Sequence, residues 1–382
     1  MKKSSHIDLF LQNNLSCLDS FRRSWKCRLL FLFQAKVRKL YSMCEKAATP
    51  EEKNEICTKA MNAYDNLFLQ RMKYKSRCWV EDFRLWFHYH GKRKVIDYSN
   101  KKKKDYYSVV VEVKNEARYI REFILFYQET GADRIYLYDN DSEDNLMEEI
   151  EPFLKEGFVV YKRWPGKASQ TAAYRDAIRN TKKRTKWLAI IDADEFLFSP
   201  KKAMPDMLRE YEEYPGVGAN WVMFGPSGHI TSPQGLVMDN YKMTLANWNS
   251  VINCHIKSIV QPKKVSCIHH THYARYKKGK YAVDSQRDPI DNYSAVILRT
   301  GRAFTPVSRS DVFRINHYNT KSLEDLKKKC ARGYSDGTQN AKYEDLLRPY
   351  NEPLVEDHSI DFYADLVRKR MKTDENVTQK SN

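Results

Sequence analysis

Two aspartates, Asp192 and Asp194, stand one residue apart where the apolar run of WLAIIDADEFLF (187–198) ends, and Glu195 follows at once. Carboxylates gathered at the end of a buried strand repel one another, and leaving water raises that cost. A hard divalent cation, Mn²⁺ or Mg²⁺, would relieve the conflict. Such ions take carboxylate oxygens and keep positions for water and substrate phosphates. If the backbone stays extended, side-chain alternation puts Asp192 and Asp194 on one side, within reach of a single ion. The plainer reading is an acidic strand end that caps the segment after it.

Several other residues have types suited to transfer chemistry. Glu195 is a candidate for taking the proton of an incoming hydroxyl; burial beside Phe196 is its structural alternative. His229 closes the turn GPSGH and is a candidate on the acceptor side. Arg175, in QTAAYRDAIRN, joins Lys162 and Arg163 as candidate partners for a departing diphosphate, or else is a surface arginine paired with Asp176. The tract HHTH (269–272) has neither finger nor helical spacing, which favours a polar strand edge over a zinc site.

An ordered scaffold stands behind these residues. SVVVEV (108–113) reads as a buried strand and 118–130 as a helix ended by Gly131. RIYLY (134–138) is a strand halted by Asp139-Asn140-Asp141-Ser142. A helix then runs to Gly157, FVVYKRW is a third strand, 168–180 a third helix, and 187–191 a fourth strand. Strands alternating with helices in this way predict right-handed crossovers and a mostly parallel α/β sheet, with ligands beyond the strands' carboxyl ends. Lys114-Asn115-Glu116, the 139–142 cluster and 192–195 all fall at that edge. Beyond 199 come shorter strands at 219–224, 253–260 and 312–317. A helix follows from Ser322, with Asp325 as its capping partner and Gly333 as its stop. The segment 105–345 reads as one domain and 346–382 as a charged helical tail.

Residues 1–104 differ in character. They are basic and aromatic, with helical spacing from Trp25 to Tyr41 and from Pro50 to Met72, and the lysine run 101–104 reads as a solvated linker. They read either as a surface for an anionic membrane or as a helical cap on the domain. The 382 residues carry a net charge of +17, 42 % hydrophobic and 13 % aromatic residues, which excludes a disordered chain. Eight scattered cysteines without a C-x-x-C pair, and no apolar core in the first 26 residues, predict a cytoplasmic protein with free thiols. The Asn-x-Ser/Thr triplets at Asn14, Asn292 and Asn376 carry no weight in that setting.

Four motifs in order resemble one family. VVVEVKNEARYIREFILFYQETGADRIYLYDNDSEDN, WLAIIDADEFLF, WVMFGPSGH and INHYNTKSLEDLKKKCARG look like those of GT-A glycosyltransferases of the family 2-like group, related to glycosyltransferase family 92 and its bacterial relatives. The resemblance covers roughly 106–335. It implies a Rossmann-like GT-A domain and a nucleotide-sugar donor, a UDP-sugar, bound near Asn115, Glu116, Asp139, Asn140 and Asp141. It further implies Mn²⁺ or Mg²⁺ on Asp192 and Asp194, completed by His317 unless that residue caps the next helix, and an inverting hexosyl transfer. A glycan or lipid-linked acceptor of a surface polysaccharide, reached at the inner face of a membrane, fits the basic N-terminal region. The positive charge alone also admits a nucleic-acid-binding or nuclease protein. Diffuse lysines, and a carboxylate set too small for two metals, favour a partner that is not nucleic acid. A transferase fold reduced to a binding module is the third reading.

Overall fold

The computed structural model describes residues 68–381 apart from 168, 269, 278–279, 291–303, 306 and 333–341. The helices expected from Trp25 and over most of 50–72 lie outside the described residues. The description starts with a long helix, α1 (Phe68–Tyr89), followed by a short edge strand, β1 (Val95–Ile96). Then come β2 (Asp105–Val113), α2 (Ala117–Glu129), β3 (Arg134–Asp139), α3 (Leu146–Lys155), β4 (Val159–Arg163), α4 (Gln170–Thr181) and β5 (Thr185–Ile190). Strand β3 pairs parallel with both β2 and β4, and β5 pairs parallel with the other side of β2. This is the alternating parallel unit that the sequence predicts.

The residue pattern explains the layers. In β2, Val109, Val111 and Val113 enter one core while Val110 enters the other; in β5, Trp187 and Ala189, with Ile191 just beyond the strand, oppose Leu188 and Ile190 in the same way. Period-two alternation with both faces apolar is what a sheet covered by helices on both sides requires. Ile120, Phe123 and Phe126 of α2 and Ile150 and Phe153 of α3 cover the first face. Ala173, Tyr174 and Ala177 of α4 and Leu85 of α1 cover the second. Gly131 and Gly157, with φ of 90° and 71°, end α2 and α3 in the left-handed conformation that a side chain would strain.

The second half is less regular. After β6 (Glu195–Phe198), α5 (Met204–Arg209), β7 (Gly216–Met223), α6 (Val237–Asn240) and β8 (Met243–Leu245) comes β9 (Ile256–Val260), which runs antiparallel between β5 and β7. A hairpin of β10 (Val265–Ile268) and β11 (Ala274–Tyr276) and the short β12 (Ala282–Val283) and β13 (Pro289–Ile290) follow. Strand β14 (Arg314–His317) lies parallel to β7 and antiparallel to β6. Helix α7 (Leu323–Arg332) opens with the expected capping pair: Ser322 Oγ accepts Asp325 N–H at 3.1 Å and donates to Asp325 Oδ2 at 2.6 Å.

The C-terminal residues are not a separate tail. After α8 (Tyr343–Leu347), β15 (Leu354–Glu356) pairs with β8, and α9 (Asp361–Ser381) packs on α2, where the Tyr363 and Phe126 rings meet at 5.6 Å. The lysine run 101–104 is exposed, and just ahead of it β1 pairs with β4.

Glu122, buried on α2, accepts the Val237 and Met238 N–H groups at 2.7 and 3.0 Å and so caps α6. Burial pushes its carboxyl up to about 7, against those donors and Lys321, with Asp239 adding to the rise. A folded-state value above the unfolded one stabilises the protein at acidic pH, and that stabilisation is lost as pH rises toward 7. The pH slope of thermal stability between 5 and 8 should therefore flatten in Glu122→Gln. A slope identical to wild type would remove Glu122 as its source.

Candidate functional site

The acidic cluster does not continue β5 as an extended strand. The chain leaves β5 at Ile190 and turns, Glu195 N–H donating to the Asp192 carbonyl at 3.1 Å, before β6 begins at Glu195. Asp192 and Asp194 therefore do not share a strand face. The turn forms because the Glu195 side chain, fully buried, accepts the Asp192 N–H at 2.8 Å.

Two lysines meet the repulsion that a cation was expected to relieve. Lys257, fully buried on β9, places Nζ 2.9 Å from Asp192 Oδ1 and 3.7 Å from Glu195 Oε2. Burial pushes Lys257 down, but the two carboxylates outweigh it and hold it above the ordinary lysine value. Burial drives Glu195 the other way, well above the usual carboxyl range, with Asp192 and Asp194 adding to the rise against Lys257. Asp192 and Lys257 thus form the ion pair, and Glu195 is held toward its neutral form. Gln170 Nε2 and Tyr174 OH, both on α4, donate to the same Asp192 Oδ1 at 2.9 Å each.

Asp194 has its own partners. Its Oδ1 lies 3.3 Å from His317 Nε2 and its Oδ2 accepts Lys329 Nζ of α7 at 2.7 Å. Burial pushes Asp194 up, yet Lys329 and His317 together hold it well below the usual carboxylate range. Burial holds His317 below its ordinary value despite Asp194, which favours neutral imidazole. On the far side of that ring, Nδ1 and Glu195 Oε1 face each other at 4.0 Å, both buried without a hydrogen-bond partner among the described residues. Among the described residues no group of three or more His, Cys, Asp or Glu is placed to hold a metal, so Asp192 does not join Asp194 and His317 in a ligand cluster.

The turns after β2 and β3 interlock beside this centre. Asn115 and Asp141 take φ of 55° and 54°, a conformation that asparagine and aspartate tolerate better than most residues. Asn115 N–H donates to Ser142 Oγ at 2.9 Å, and Asn115 Oδ1 accepts Glu143 N–H at 2.8 Å. Asp139 accepts Ser142 N–H and Tyr161 OH, Asn140 donates to Ser169 Oγ and the Gly166 carbonyl, and Asp141 pairs with Arg163 at 2.7 Å. Glu116 lies 3.7 Å from Lys321 at the start of α2.

Other candidates sit elsewhere. Arg175 is buried, pairs with Glu81 and Asp82 of α1 at 2.7 and 2.8 Å, and donates to the Ile268 carbonyl; it faces neither solvent nor Asp176. Asp176 instead takes Lys162. His229 is half-buried with Nε2 3.0 Å from the Asn240 carbonyl, which ties its turn to α6. His270 and His272 lie with ring centroids 5.2 Å apart, and His272 Nδ1 is 2.9 Å from the Ile256 carbonyl.

The family model for glycosyltransferase family 92 matches residues 108–348, more than half of the chain. The chain belongs to glycosyltransferase family 92. With the parallel half-sheet above, that membership gives the GT-A architecture expected from the four motifs. Two plant relatives are a family 92 protein of Oryza sativa subsp. japonica, 29 % identical over 169 residues, and one of Arabidopsis thaliana, 28 % identical over 180 residues. Each match covers 43 % of this chain but only 29 % and 30 % of those relatives, so the chain spans less than a third of their length. Among solved structures, S. aureus TarS 1–349 in complex with UDP overlays with a TM-score of 0.29 at 17 % identity, covering 41 % of this chain and 47 % of that one. The mannosyltransferase PcManGT from Pyrobaculum calidifontis, in complex with GDP-Man and Mn²⁺, gives 0.26 at 13 % over 39 % and 46 %. At such scores the likeness carries no weight for donor, metal or acceptor.

In this family 92 chain, several site residues escaped the sequence reading: Lys257, Lys329, Gln170, Tyr174 and Trp221. Trp221 packs on the His255 ring at 4.8 Å and the His317 ring at 4.4 Å. One signal was visible in advance, a lysine inside the apolar strand IKSIV.

Proposed function

We propose that this family 92 protein transfers a sugar from a nucleotide-sugar, a UDP-sugar, to a glycan or lipid-linked acceptor, with inversion and with a divalent cation. The observation that carries the reading is the Asp194–His317 pair, 3.3 Å apart, at the carboxyl edge of the parallel strands. That edge lies where the strand order turns from β2 to β5, the place where open α/β sheets bind ligands. Asp194 and His317 fit Mn²⁺ or Mg²⁺, because adjacent ligands about 2.1 Å from an ion stand about 3 Å apart. Water and the donor diphosphate would take the remaining positions, as such ions commonly allow. The bound cation would supply positive charge to the diphosphate as the sugar–oxygen bond breaks.

The chain's own side chains do the rest. Lys329, at Asp194, adds a second positive charge on the leaving-group side. Lys257, Gln170 and Tyr174 fix Asp192 through one oxygen and so leave Oδ2 to receive a donor hydroxyl. Glu195 acts as a positioning residue through the Asp192 N–H and the buried side of His317.

Incubating the full chain with a panel of nucleotide-sugars, with and without Mn²⁺, tests this reading. UDP with Mn²⁺ should stabilise the fold by about 2.7 kcal/mol at a hundredfold excess over Kd. No stabilisation and no hydrolysis with any donor would overturn it. Chelation without nucleotide should leave the thermal midpoint unmoved, since Lys257 and Lys329 already balance the carboxylates; a large drop would make the metal structural. The anomeric configuration of the product, read by NMR, decides inversion.

A further inference from the structure

Helix α1 presents its outer face to solvent. Trp79, Phe83, Trp86 and Phe87 are 66, 51, 50 and 65 % exposed, and Met72 and Val80 lie exposed in the same stripe. At about 100° per residue these side chains share an arc of roughly 120°, as wide as the apolar stripe by which a surface helix normally meets its core. The core-facing side is a different one. Cys78 and Leu85 are buried, and Glu81 and Asp82 receive Arg175 from α4, while Asp82 also receives Arg179. The stripe is thus a second apolar face on a helix whose first face is already packed.

What covers it can be read from its borders. Lys75 flanks one side of the stripe and Arg77 and Arg84 the other, all exposed, and the chain runs on through exposed Lys92 and Lys94. Acidic residues are confined to the packed side, at Glu81 and Asp82. Basic flanks around Trp and Phe are the composition of a helix lying in the headgroup layer of an anionic bilayer. A second copy would bring the same positive borders together. A glycan platform needs ring faces turned outward, whereas here the faces turn to each other: Trp79 stacks on Phe83 at 5.5 Å and 18°, and Trp86 on His90 at 4.7 Å and 22°.

We propose that the outer face of α1 is a docking surface for anionic lipid headgroups, with the Trp79–Phe87 rings entering the interface. Among the described residues no helix is long and apolar enough to cross a membrane. Arg175 links α1 to α4, and Gln170 and Tyr174 of α4 hold Asp192, so the docked helix sets the orientation of the site toward the lipid surface.

The test uses the full chain and no sugar donor, so its outcome is independent of the proposed reaction. The protein is sedimented with phosphatidylcholine vesicles, with and without phosphatidylglycerol. Binding should be at least about tenfold stronger with the anionic lipid. The exposed double variants Trp79→Ser/Trp86→Ser and Arg77→Glu/Arg84→Glu should each lower it about tenfold while leaving the thermal midpoint unchanged. Absence of binding to anionic vesicles overturns the proposal. Binding unchanged in the tryptophan variant also overturns it, and so does a dimer that this variant splits or retention on a soluble glycan that it abolishes.

Discussion

Lys257→Met should lower stability by about 3 kcal/mol, a fall of roughly 4–5 °C in the thermal midpoint for a chain of this length. The methionine fills most of the space, so the loss is electrostatic. Lys257 Nζ is the charge closest to Asp192 Oδ1, and Glu195, with no solvent exposure, lies beside both. Without the ammonium, Asp192 keeps only the neutral donors Gln170 and Tyr174 on that oxygen. Removing the fully buried lysine costs more than removing both partners, because the charge left on the part-exposed Asp192 loses its compensation. Lys257→Met/Asp192→Asn should therefore recover part of the loss, and a cycle of single and double variants by thermal denaturation measures the coupling. A midpoint for Lys257→Met within about 1 °C of wild type would show that the pair does not hold the turn.

That pair marks the limit of what could be read along the chain. The parallel half was legible because β2 and β5 are apolar on both faces, and Gly131 and Gly157 stop the intervening helices where the residue pattern says they should. The Ser322–Asp325 cap was legible for the same local reason. Lys257 meets Asp192 across 65 positions. The antiparallel register of β9 on β5, Leu188 against Val260 and Ala189 against Ile259, brings Lys257 level with the chain leaving β5. No local pattern contains that register. The extended DxD reading failed because a buried carboxyl, Glu195, captured a backbone N–H and bent the chain. The C-terminal helix was expected but its docking was not, because its charges hide Tyr363, Ala364 and Val367, which with Ile360 just ahead of the helix pack into the main core. Both members of the proposed metal pair were named from the sequence, Asp194 by its acidic setting and His317 through the resemblance, but their contact was not legible: His317 reaches Asp194 through β14 pairing with β6, where His317 opposes Glu195.

Asp194→Asn should reduce sugar transfer by about 10²–10³-fold, the loss expected when a preorganised charge on a developing anion is removed. The effect should be separable from folding. Lys329 keeps the Asn319 carbonyl at 3.1 Å and the Asn319 side chain as partners, and the neutral amide can still meet His317, so the thermal midpoint without ligand should fall by a few degrees for the lost ion pair while the protein stays folded. Stabilisation by UDP with Mn²⁺ should vanish in Asp194→Asn and equally in His317→Ala, since each removes one of two proposed protein ligands. Lys329→Met should behave differently. It takes positive charge from beside Asp194 but leaves both proposed metal ligands, so the nucleotide–metal stabilisation should persist while turnover falls. If Asp194→Asn transferred sugar at the wild-type rate, or kept its response to UDP with Mn²⁺, the Asp194–His317 pair would be a structural contact and the donor would have to bind elsewhere on the sheet edge.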